Sequence, residues 1–574
     1  METRTCKNCT ESFPIEPDDI EFYKKINVPW PTLCWKCRFQ RRLAYRNERN
    51  AFWNVSAKSG KRIISIFPPG NNLKVYDEAE WRSDDWDGLD YGRDFDFSRP
   101  FFDQMHELAQ AVPRFGPHTE DNVNCEYLIN SGWSKNCYLV CNSSRTEDSA
   151  YGNAMDDSRF CFDNSHITKS ERCYGSFWIN NSYQSHFSTR STDNTSVMFC
   201  FASKGLTNCF GCVNMTNKSY HIYNVPYSKE EYFKRMKAMK LNTWSGLQKA
   251  KEEAFAFALK FPIMHLNGAF NINVTGEYIS DSKNVHYGYL VHGAKDVKYG
   301  QYLQVPGVED SMDITIWGEK NIRAYENSTS GLNLSNSHFC EGSWAEIIDS
   351  EYCIACRGIS NCFGCVGLKK KKYCIFNKQY SREEYFAKIS SIKSQMTKNG
   401  EYGEFFPIKH SLIPYNVSLA QEHFPLTKEQ ALAKGYSWYD KPKKDYQITM
   451  TAAQIPDAIE DVPDSILKEI LECIECKQAY RVIEMELAFL RQEKLPILRQ
   501  CVDCRHQERI TQRAKAFLYH RACGCRGKAS TKGYTNTTTH IHGDAPCPTE
   551  FETAYPTSDP RIIYCLPCLY AEVN

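Results

Sequence analysis

Two matched groups of four cysteines, one near each end of the chain, constrain its fold more than any other sequence feature. In each group two C-x-x-C pairs are separated by 24 residues: Cys6, Cys9, Cys34 and Cys37 form the first group, and Cys473, Cys476, Cys501 and Cys504 form the second. A C-x-x-C turn presents two thiolates to one ion, and two such turns complete the tetrahedron that Zn²⁺ prefers. We therefore predict two closed zinc sites with a structural rather than a catalytic role.

The residues around the two groups also match. At a constant offset of 467 positions the aligned pairs are Phe22 and Phe489, Pro29 and Pro496, and Arg38 and Arg505. The alternatives are free buried cysteines, which need no matched spacing, and redox-active pairs, which do not occur as matched quartets. We expect no disulfides among the 27 cysteines, because no secretory leader is visible and the cytosol is reducing. The match therefore favours metal binding.

A basic segment with helical spacing follows the second cysteine pair of each group. The arginines recur every four residues: Arg38, Arg42 and Arg46 after the first group, and Arg505, Arg509 and Arg513 after the second. This spacing places three guanidinium groups along one helix face. The pattern favours contact with phosphates, which arginine binds with two parallel hydrogen bonds. The alternative is a solvated face paired with nearby carboxylates such as Glu48 and Glu508.

A third set of metal-binding residue types lies near the end of the sequence. It comprises Cys523, Cys525, His540, His542, Cys547, Cys565 and Cys568. Cys565 and Cys568 have the C-x-x-C spacing and predict a third zinc site. We prefer Cys525 and Cys547 as its other ligands, with His542 as the alternative, and expect His540 to be packed or on the surface. The predicted content is two to three zinc ions per chain.

Two cysteine pairs followed by a helix resemble the treble-clef and zinc-ribbon class of fingers, over roughly 100 residues in two pieces. The 24-residue gap predicts an added helix around residues 20–26. The resemblance implies zinc binding and a nucleic-acid or protein partner, since the class occurs in ribosomal and RNA-binding proteins and in protein adaptors. The whole chain resembles a bacterial family of multi-zinc-ribbon proteins with no established activity, which implies an architecture and no reaction.

The middle of the chain repeats on two length scales. Residues 208–213 return as residues 361–366, and residues 227–233 return as residues 380–386, both 153 positions later. Within each half, a triplet of a polar, a small and an aromatic residue recurs every 10 to 15 residues, as in residues 136–138. Short strands at this spacing predict a β-solenoid of stacked rungs, with a β-sandwich as the alternative.

Each half of the middle is predicted to end in a helix. Ser228 with Glu231, and Ser381 with Glu384, have the S-x-x-E spacing of a capping box at a helix start. An apolar helix face follows each box, so we expect these helices to cover the repeats.

Two weaker features allow metal binding or catalysis in the middle. One is a set of four cysteines in the second half: Cys353, Cys356, Cys362 and Cys365. The first half has Ser203 at the fourth position, so stacked buried thiols are favoured over a zinc site. The other is the Asp-rich segment at residues 84–96, which lacks the glycine and terminal glutamate of an EF-hand. We interpret it as a connecting segment anchored by Trp81 and Trp86 rather than as a Ca²⁺ or acid/base site.

These patterns predict a multidomain, mainly β chain with short helices, in which a solenoid-like repetitive middle lies between zinc fingers. The predicted divisions are an N-terminal zinc finger with a basic helix at residues 1–58, an Asp-rich connecting segment at 59–99, a first repeat half at 100–260, a second repeat half at 261–440, a linker at 441–465, a second zinc finger with a basic helix at 466–520, and a C-terminal Cys/His zinc ribbon at 521–574.

Composition restricts the function classes. The net charge is +1, so any nucleic-acid surface must be local, and no apolar stretch is long enough to cross a membrane. We expect a cytoplasmic, zinc-stabilised binding scaffold that contacts RNA or a ribonucleoprotein through the arginine helices. The first alternative is a protein-assembly adaptor without nucleic acid. The second is a carbohydrate-active enzyme that uses a solenoid face, although the sequence identifies no catalytic or cofactor-binding residue.

Overall fold

The computed structural model describes residues 2–303, 305–316, 323–442 and 446–573. The chain forms two compact units that each combine segments distant in sequence. Unit 1 comprises Met1–Pro117, Leu266–Asp440 and Lys515–Leu518, and unit 2 comprises His118–His265, Lys441–Ala514 and Tyr519–Asn574. Each unit therefore contains one half of the repetitive middle and one cysteine finger, whereas the predicted divisions follow one another along the chain.

The described residues form twelve α-helices, most of them short. They are α1 (Pro17–Lys25), α2 (Trp35–Leu43), α3 (Glu78–Arg82), α4 (Phe101–Ala111), α5 (Lys229–Ala238), α6 (Trp244–Ala258), α7 (Arg382–Lys398), α8 (Ala420–His423), α9 (Lys428–Ala433), α10 (Glu484–Glu493), α11 (Val502–Thr511) and α12 (Leu566–Val573). Helix α7 begins with the expected reciprocal box of Ser381 and Glu384. At the start of α5, the Ser228 hydroxyl accepts from the backbone N–H of Glu231. No helix among the described residues is both long and apolar enough to span a bilayer.

The strands of unit 2 are short and mostly parallel. They are Thr119–Glu120, Ser131–Gly132, Asn153–Asp156, Ser165–Thr168, Phe177–Asn180, Tyr183–His186, Thr189–Thr192, Thr195–Met198, Thr207–Phe210, Ser219–Ile222, Val225–Pro226, Pro262–Met264, Leu471–Glu472, Ala479–Tyr480, Tyr519–Ala522, Glu550–Thr553 and Ile562–Tyr564. Ser165 pairs with Phe177, and Phe177 pairs with Thr189, so one rung takes twelve residues. Parallel pairing between successive coils confirms the predicted solenoid and makes the β-sandwich alternative wrong.

Unit 1 contains a solenoid whose rungs differ in their number of residues. Its strands are Glu2–Thr5, Ser12–Ile15, Phe52–Val55, Arg62–Ser65, Val75–Tyr76, Arg114–Phe115, Gly268–Ala269, Ile272–Ser280, Lys283–His292, Lys295–Lys298, Gln301–Leu303, Glu309–Met312, Leu334–Ser335, Trp344–Ile348, Arg357–Phe363, Lys372–Ile375 and Lys378–Gln379. Lys283 pairs with Lys295 twelve residues on, and Lys295 pairs with Glu309 fourteen residues on. The predicted interval of 10 to 15 residues therefore covers the rungs of both units.

Within a rung of unit 2 the backbone repeats every three residues. Asn136, Leu139 and Asn142 have φ values of 52°, 51° and 51°, in the left-handed region. Asn and Asp tolerate this conformation better than most residues, which explains their abundance in the repeats. The residue after each left-handed position points into the coil, as do Cys137 and Val140, both buried. The polar–small–aromatic triplet of the sequence thus corresponds to a turn, an interior and an outward-facing position.

Small side chains inside the coil hydrogen-bond to its own backbone. The Cys137 thiol lies 3.4 Å from the Lys135 carbonyl oxygen and 3.3 Å from that of Thr146. The Cys353 thiol in unit 1 donates in the same way to the carbonyl oxygens of Glu351 and Cys362. Such contacts satisfy buried donors without any metal ion. The solenoid cysteines Cys353, Cys356, Cys362 and Cys365 are buried thiols and belong to none of the metal-type clusters found among the described residues.

Outward-facing aromatic residues of the solenoids pack against the finger of the same unit. In unit 2 the ring of Phe489 on α10 lies 4.6 Å from that of Phe162 and stacks on Tyr174 at 5.9 Å. In unit 1 the ring of Tyr23 on α1 lies 5.2 Å from that of Tyr325. These aromatics belong to the hydrophobic cores, so the fingers supply the apolar cover that an isolated solenoid face would lack.

The Asp-rich segment covers the last rungs of the solenoid in unit 1. The side-chain amide of Asn377 donates to the Gly88 carbonyl oxygen at 2.9 Å, and Lys371 pairs with Asp87 at 2.6 Å. The indole N–H of buried Trp81 donates to the Pro113 carbonyl oxygen at 3.0 Å. These contacts hold the segment against the solenoid. None of the groups that could hold a metal ion among the described residues includes an Asp of this segment.

The predicted linker at residues 441–465 includes packed residues. Ile455, Ile459 and Val462 are buried in the core of unit 2. Lys443 and Lys444, which motivated the linker prediction, lie outside the described residues.

Candidate metal centres

Each terminal finger places its cysteines with the same backbone geometry. The first pair lies in a tight turn between two strands, and a left-handed residue follows it: Thr10 (φ 62°) in the first finger and Lys477 (φ 60°) in the second. The second pair begins at the N-cap of a helix, at Cys34 for α2 and Cys501 for α11. The predicted added helix is α1, and the predicted basic helices are α2 and α11.

The sulfur atoms of each finger lie at the spacing of a tetrahedral thiolate site. The Sγ atoms of Cys9 and Cys34 are 3.8 Å apart, and those of Cys476 and Cys501 are 3.7 Å apart. Zinc–sulfur bonds of about 2.3 Å at tetrahedral angles give a separation of about 3.8 Å. All four sulfurs of each quartet lie within 4.8 Å of one another. Both terminal quartets could therefore hold a metal ion.

Backbone donors or a neighbouring thiol favour the ionised form of one cysteine in each terminal quartet, whereas burial raises the pKa of Cys9 and of Cys501. The backbone N–H of Cys34 points at the Cys6 sulfur at 3.3 Å, and that of Cys501 at the Cys473 sulfur at 3.2 Å. Hydrogen bonding with the Cys37 thiol lowers the pKa of Cys34 to about 5, although burial acts in the opposite direction. For Cys473, burial raises the pKa, but backbone N–H groups outweigh it and lower the pKa to about 7. Thiolate is the form that binds metal.

A third quartet near the C-terminal end follows the same plan. It consists of Cys523, Cys547, Cys565 and Cys568. The N–H of Cys565 points at the Cys523 sulfur at 3.3 Å, as Cys34 does at Cys6, and α12 starts immediately after Cys565. The Sγ atoms of Cys547 and Cys565 are 3.8 Å apart. Cys523 belongs to this quartet, whereas Cys525, which the spacing favoured beside Cys547, does not.

Cys525 belongs to a fourth group together with His540, His542 and Cys568. The Cys525 sulfur lies 3.2 Å from His540 Nδ1, and the Cys568 sulfur lies 3.3 Å from His542 Nε2. The sequence predicted that His540 is either packed or on the surface. It is buried, and its ring lies among the side chains of this group. The H-x-H spacing was the only sequence feature that could have indicated its position.

The arginines of the first finger are buried against the solenoid of unit 1. Arg38 Nε lies 2.6 Å from the Asp313 carboxylate, and Arg42 Nη1 lies 3.4 Å from it. Arg42 also donates to Thr315 Oγ1 at 2.6 Å and to Gln301 Oε1 at 2.8 Å. The side chains of Arg38 and Arg42 are 2% and 0% exposed. Both of these guanidinium groups are thus bound within the unit.

The second finger repeats this arrangement in unit 2. Arg505 Nη1 lies 2.6 Å from the Glu486 carboxylate and 3.2 Å from Asp163, and Arg509 Nη1 lies 3.0 Å from Asp163. Asp163 and Asp313 both occupy left-handed positions of a solenoid rung, with φ values of 55° and 62°. Burial raises the pKa of Glu486, while the charge of Arg505 acts against that shift.

These arginines do not form the solvated helix face that the alternative interpretation describes. Arg38, Arg42, Arg46, Arg505 and Arg509 are all buried, and Arg513 is half-buried. Arg46 does pair with Glu48 at 2.7 Å, as the alternative interpretation stated, but that pair is also buried. Phosphate contact needs accessible guanidinium groups, so these helices give no support to RNA binding.

Comparisons with known proteins assign no family. No protein-family model matches the chain, and no curated protein sequence matches it. A solved structure described as an acetyltransferase of Desulfovibrio desulfuricans G20 has a TM-score of 0.11 at 8% identity, over 47% of this chain and 71% of that chain. The polySia specific acetyltransferase NeuO has a TM-score of 0.07 at 11% identity, over 50% of this chain and 96% of that chain. TM-scores this low support no conclusion about the fold or function of this chain. The zinc-ribbon resemblance therefore rests on cysteine geometry alone.

Proposed function

We propose that the protein is a zinc-stabilised binding scaffold in which the metal ions maintain fingers that pack onto two solenoids. The proposed ions occupy the two terminal quartets and the quartet of Cys523, Cys547, Cys565 and Cys568. Four thiolates around one ion are typical of zinc or iron sites, and two isolated C-x-x-C turns favour zinc. A site with four protein ligands has no open position for a substrate, which supports a structural role.

The observation that carries the proposal is the burial of equivalent arginines in both units. Arg38 and Arg42 bind Asp313, and Arg505 and Arg509 bind Asp163, so each finger helix is joined to a solenoid rung by ion pairs. A buried ion pair is costly to form and even more costly to break on one side. Such contacts require a helix in a fixed position, which a four-thiolate site at its N-terminus supplies.

A protein partner is favoured over RNA as the ligand of this scaffold. On the outer face of the solenoid in unit 2, Arg145 pairs with Asp157 at 2.5 Å and Arg159 pairs with Glu171 at 3.2 Å. Alternating, mutually paired charges do not create the positive surface potential that a polyanion needs. The protein-assembly alternative therefore replaces RNA as our proposal for the partner class.

The proposal is tested on full-length protein purified under reducing conditions. We expect at least three zinc ions per chain by mass spectrometry and a fall of more than about 10 °C in the unfolding midpoint after strong chelation. The ultraviolet absorbance of the same sample measures copurified nucleic acid and should indicate none. Metal-free protein with an unchanged midpoint would reject the structural role of zinc, and tightly bound nucleic acid would restore the RNA alternative.

A further inference from the structure

The third and fourth groups of metal-binding side chains meet at one atom. Cys568 Sγ is within 4.8 Å of every ligand atom of Cys523, Cys547 and Cys565, and equally of those of Cys525, His540 and His542. A single mononuclear site would use only one of these two sets. The other set would then remain as a buried collection of metal-binding groups without an ion.

We propose that these residues form a centre of two zinc ions bridged by the Cys568 thiolate. The first ion is bound by Cys523, Cys547, Cys565 and Cys568, and the second by Cys525, His540, His542 and Cys568. Each ion then has four protein ligands, which is the number that zinc takes in structural sites. The inference rests on the proposed zinc binding and adds a second ion and a shared ligand to it.

The tautomer of each histidine is determined by the partner of its outer nitrogen. His540 Nε2 lies 2.8 Å from a Glu572 carboxylate oxygen, and His542 Nδ1 lies 2.7 Å from the Ala545 carbonyl oxygen. Both partners can only accept, so in a neutral ring the proton is on the outer nitrogen. The lone pairs of His540 Nδ1 and His542 Nε2 therefore face Cys525 and Cys568. A carboxylate or carbonyl behind a ligating histidine is the usual outer shell of a zinc site.

Glu572 fixes the histidine loop to the helix that carries the bridging cysteine. It lies on α12, four residues after Cys568, and its side chain is only 2% exposed. Its carboxylate accepts from the Tyr534 hydroxyl at 2.8 Å and from the Thr537 backbone N–H at 2.8 Å. A carboxylate this buried and this fully hydrogen-bonded holds the loop in position before any ion binds.

The sulfur of Cys525 is oriented as a metal ligand as well. The side-chain amide of Asn536 donates to it at 3.2 Å, and the Tyr564 hydroxyl fixes that amide by donating to its oxygen at 2.8 Å. A donor aimed at sulfur stabilises a thiolate. Five thiolates and two divalent ions leave a charge of −1 on the centre, whereas one ion would leave −3 with all five ionised. The second ion therefore makes burial of these sulfurs less costly.

Metal counting on the full-length protein tests the second ion. After reconstitution with zinc alone, the wild-type chain should hold four ions, two in the terminal quartets and two in the bridged centre. His542→Ala should hold three, because its ring is the more accessible ligand and its loss leaves the Cys523 quartet intact. Cys525→Ser should give the same count, and His520→Ala, which changes an exposed histidine of the same unit, should keep four.

The outcomes separate this inference from the proposed function. Three ions in the wild type and three in both variants would overturn the second ion and leave the three structural quartets valid. No ions in any of the proteins would overturn both proposals. If His542→Ala fails to fold, Cys525→Ser decides the count on its own.

Cobalt substitution tests the bridge separately from the count. Two Co²⁺ ions that share a thiolate couple magnetically and give little paramagnetic resonance signal at low temperature, whereas isolated ions give a full signal. Wild-type protein with four cobalt ions should then show the signal of two, and His542→Ala with three ions should show the signal of three. If the wild-type protein instead gives the signal of four spins per chain and His542→Ala gives that of three, Cys568 does not bridge two ions.

Discussion

The two terminal fingers have the same ligand spacing and aligned arginines, yet their helices are buried to different extents. In α2 every residue from Cys37 to Leu43 is buried, whereas α11 leaves Asp503 and Gln507 exposed. In unit 1, α8 packs against α2 and adds to the cover of that helix. Identical local spacing therefore specifies which residues share a helix face and not how deeply that face is buried.

The charges on the two helices differ at one aligned position. Arg41 of α2 forms ion pairs with Glu326 and with Glu404, the latter at 2.8 Å. The residue 467 positions later is Glu508, which pairs with Lys251 instead. The helix of the first finger thus contributes three arginines to buried ion pairs, against two for the second. We expect the first finger to be bound more strongly to its solenoid.

Removal of one metal ligand should have the largest effect and tests whether both fingers depend on metal. Cys34→Ser should expose α2 and the rung of Asp313 to hydrogen exchange, and Cys501→Ser should do so for α11 and the rung of Asp163. Structural zinc contributes roughly 10–16 kcal/mol to the folding of finger peptides, so loss of a ligand should unfold the module. Exchange mass spectrometry with Cys353→Ser as the control measures this. If α2 and α11 in these variants are as protected from exchange as in the control, neither finger needs an ion to keep its structure.

Arg42→Ala should give the next largest effect. The change leaves Asp313 and Glu326 with less positive charge and leaves the Gln301 side-chain oxygen without its donor. Removing one partner of a buried network costs about 3–5 kcal/mol. Lys24→Ala, at an exposed position of α1, is the control, and both proteins are compared by denaturant unfolding with metal present. Equal stability of the two variants would mean that the buried arginine does not bind the finger to the solenoid.

Arg509→Ala should destabilise unit 2 by less, about 2–3 kcal/mol, because Arg505 remains beside Asp163. Gln507→Ala is a close control, since it lies on the same helix and is exposed. The control should change stability by no more than about 0.5 kcal/mol. Exchange protection of α11 measures the effect. A larger loss for Arg509→Ala than for Arg42→Ala would reverse the order that we infer for the two fingers.

Glu508→Gln should have the smallest effect and tests the position at which the fingers differ. Glu508 and Lys251 are 33% and 23% exposed, and partly exposed ion pairs contribute at most about 1 kcal/mol. Thermal unfolding of this variant should stay close to that of the wild type. A shift as large as that of Arg509→Ala would show that the second finger depends on a pair outside the Asp163 network.

The sequence predicts the metal ligands of the terminal fingers because their chemistry is local. Two C-x-x-C turns supply a complete ligand set, whatever the rest of the fold. The carboxylates that pair with the arginines are distant in sequence. Asp163 lies more than 340 positions before Arg509, and Asp313 lies 275 positions after Arg38. Both carboxylates occupy left-handed rung positions, where Asp is common for conformational reasons alone, so nothing in the sequence distinguishes them.

The C-terminal ligands show a second limit of sequence analysis. Cys523 and Cys525 are two positions apart on a chain that pairs Cys523 N–H with the Thr549 carbonyl oxygen. The path of this backbone decides which sulfur faces Cys565 and which faces His540. Spacing predicts that a site exists there, and only the three-dimensional course of the chain divides the ligands between two groups.

The central claim is that each metal-held finger helix is joined to its solenoid by arginine–aspartate pairs. A double-mutant cycle with Arg509→Ala, Asp163→Ala and the double variant, measured by unfolding of zinc-loaded full-length protein, tests it most directly. We predict that the two residues are coupled by about 1–3 kcal/mol, so the double variant loses less than the sum of the single losses. Additive losses would contradict the claim, because the two side chains would then stabilise the unit independently.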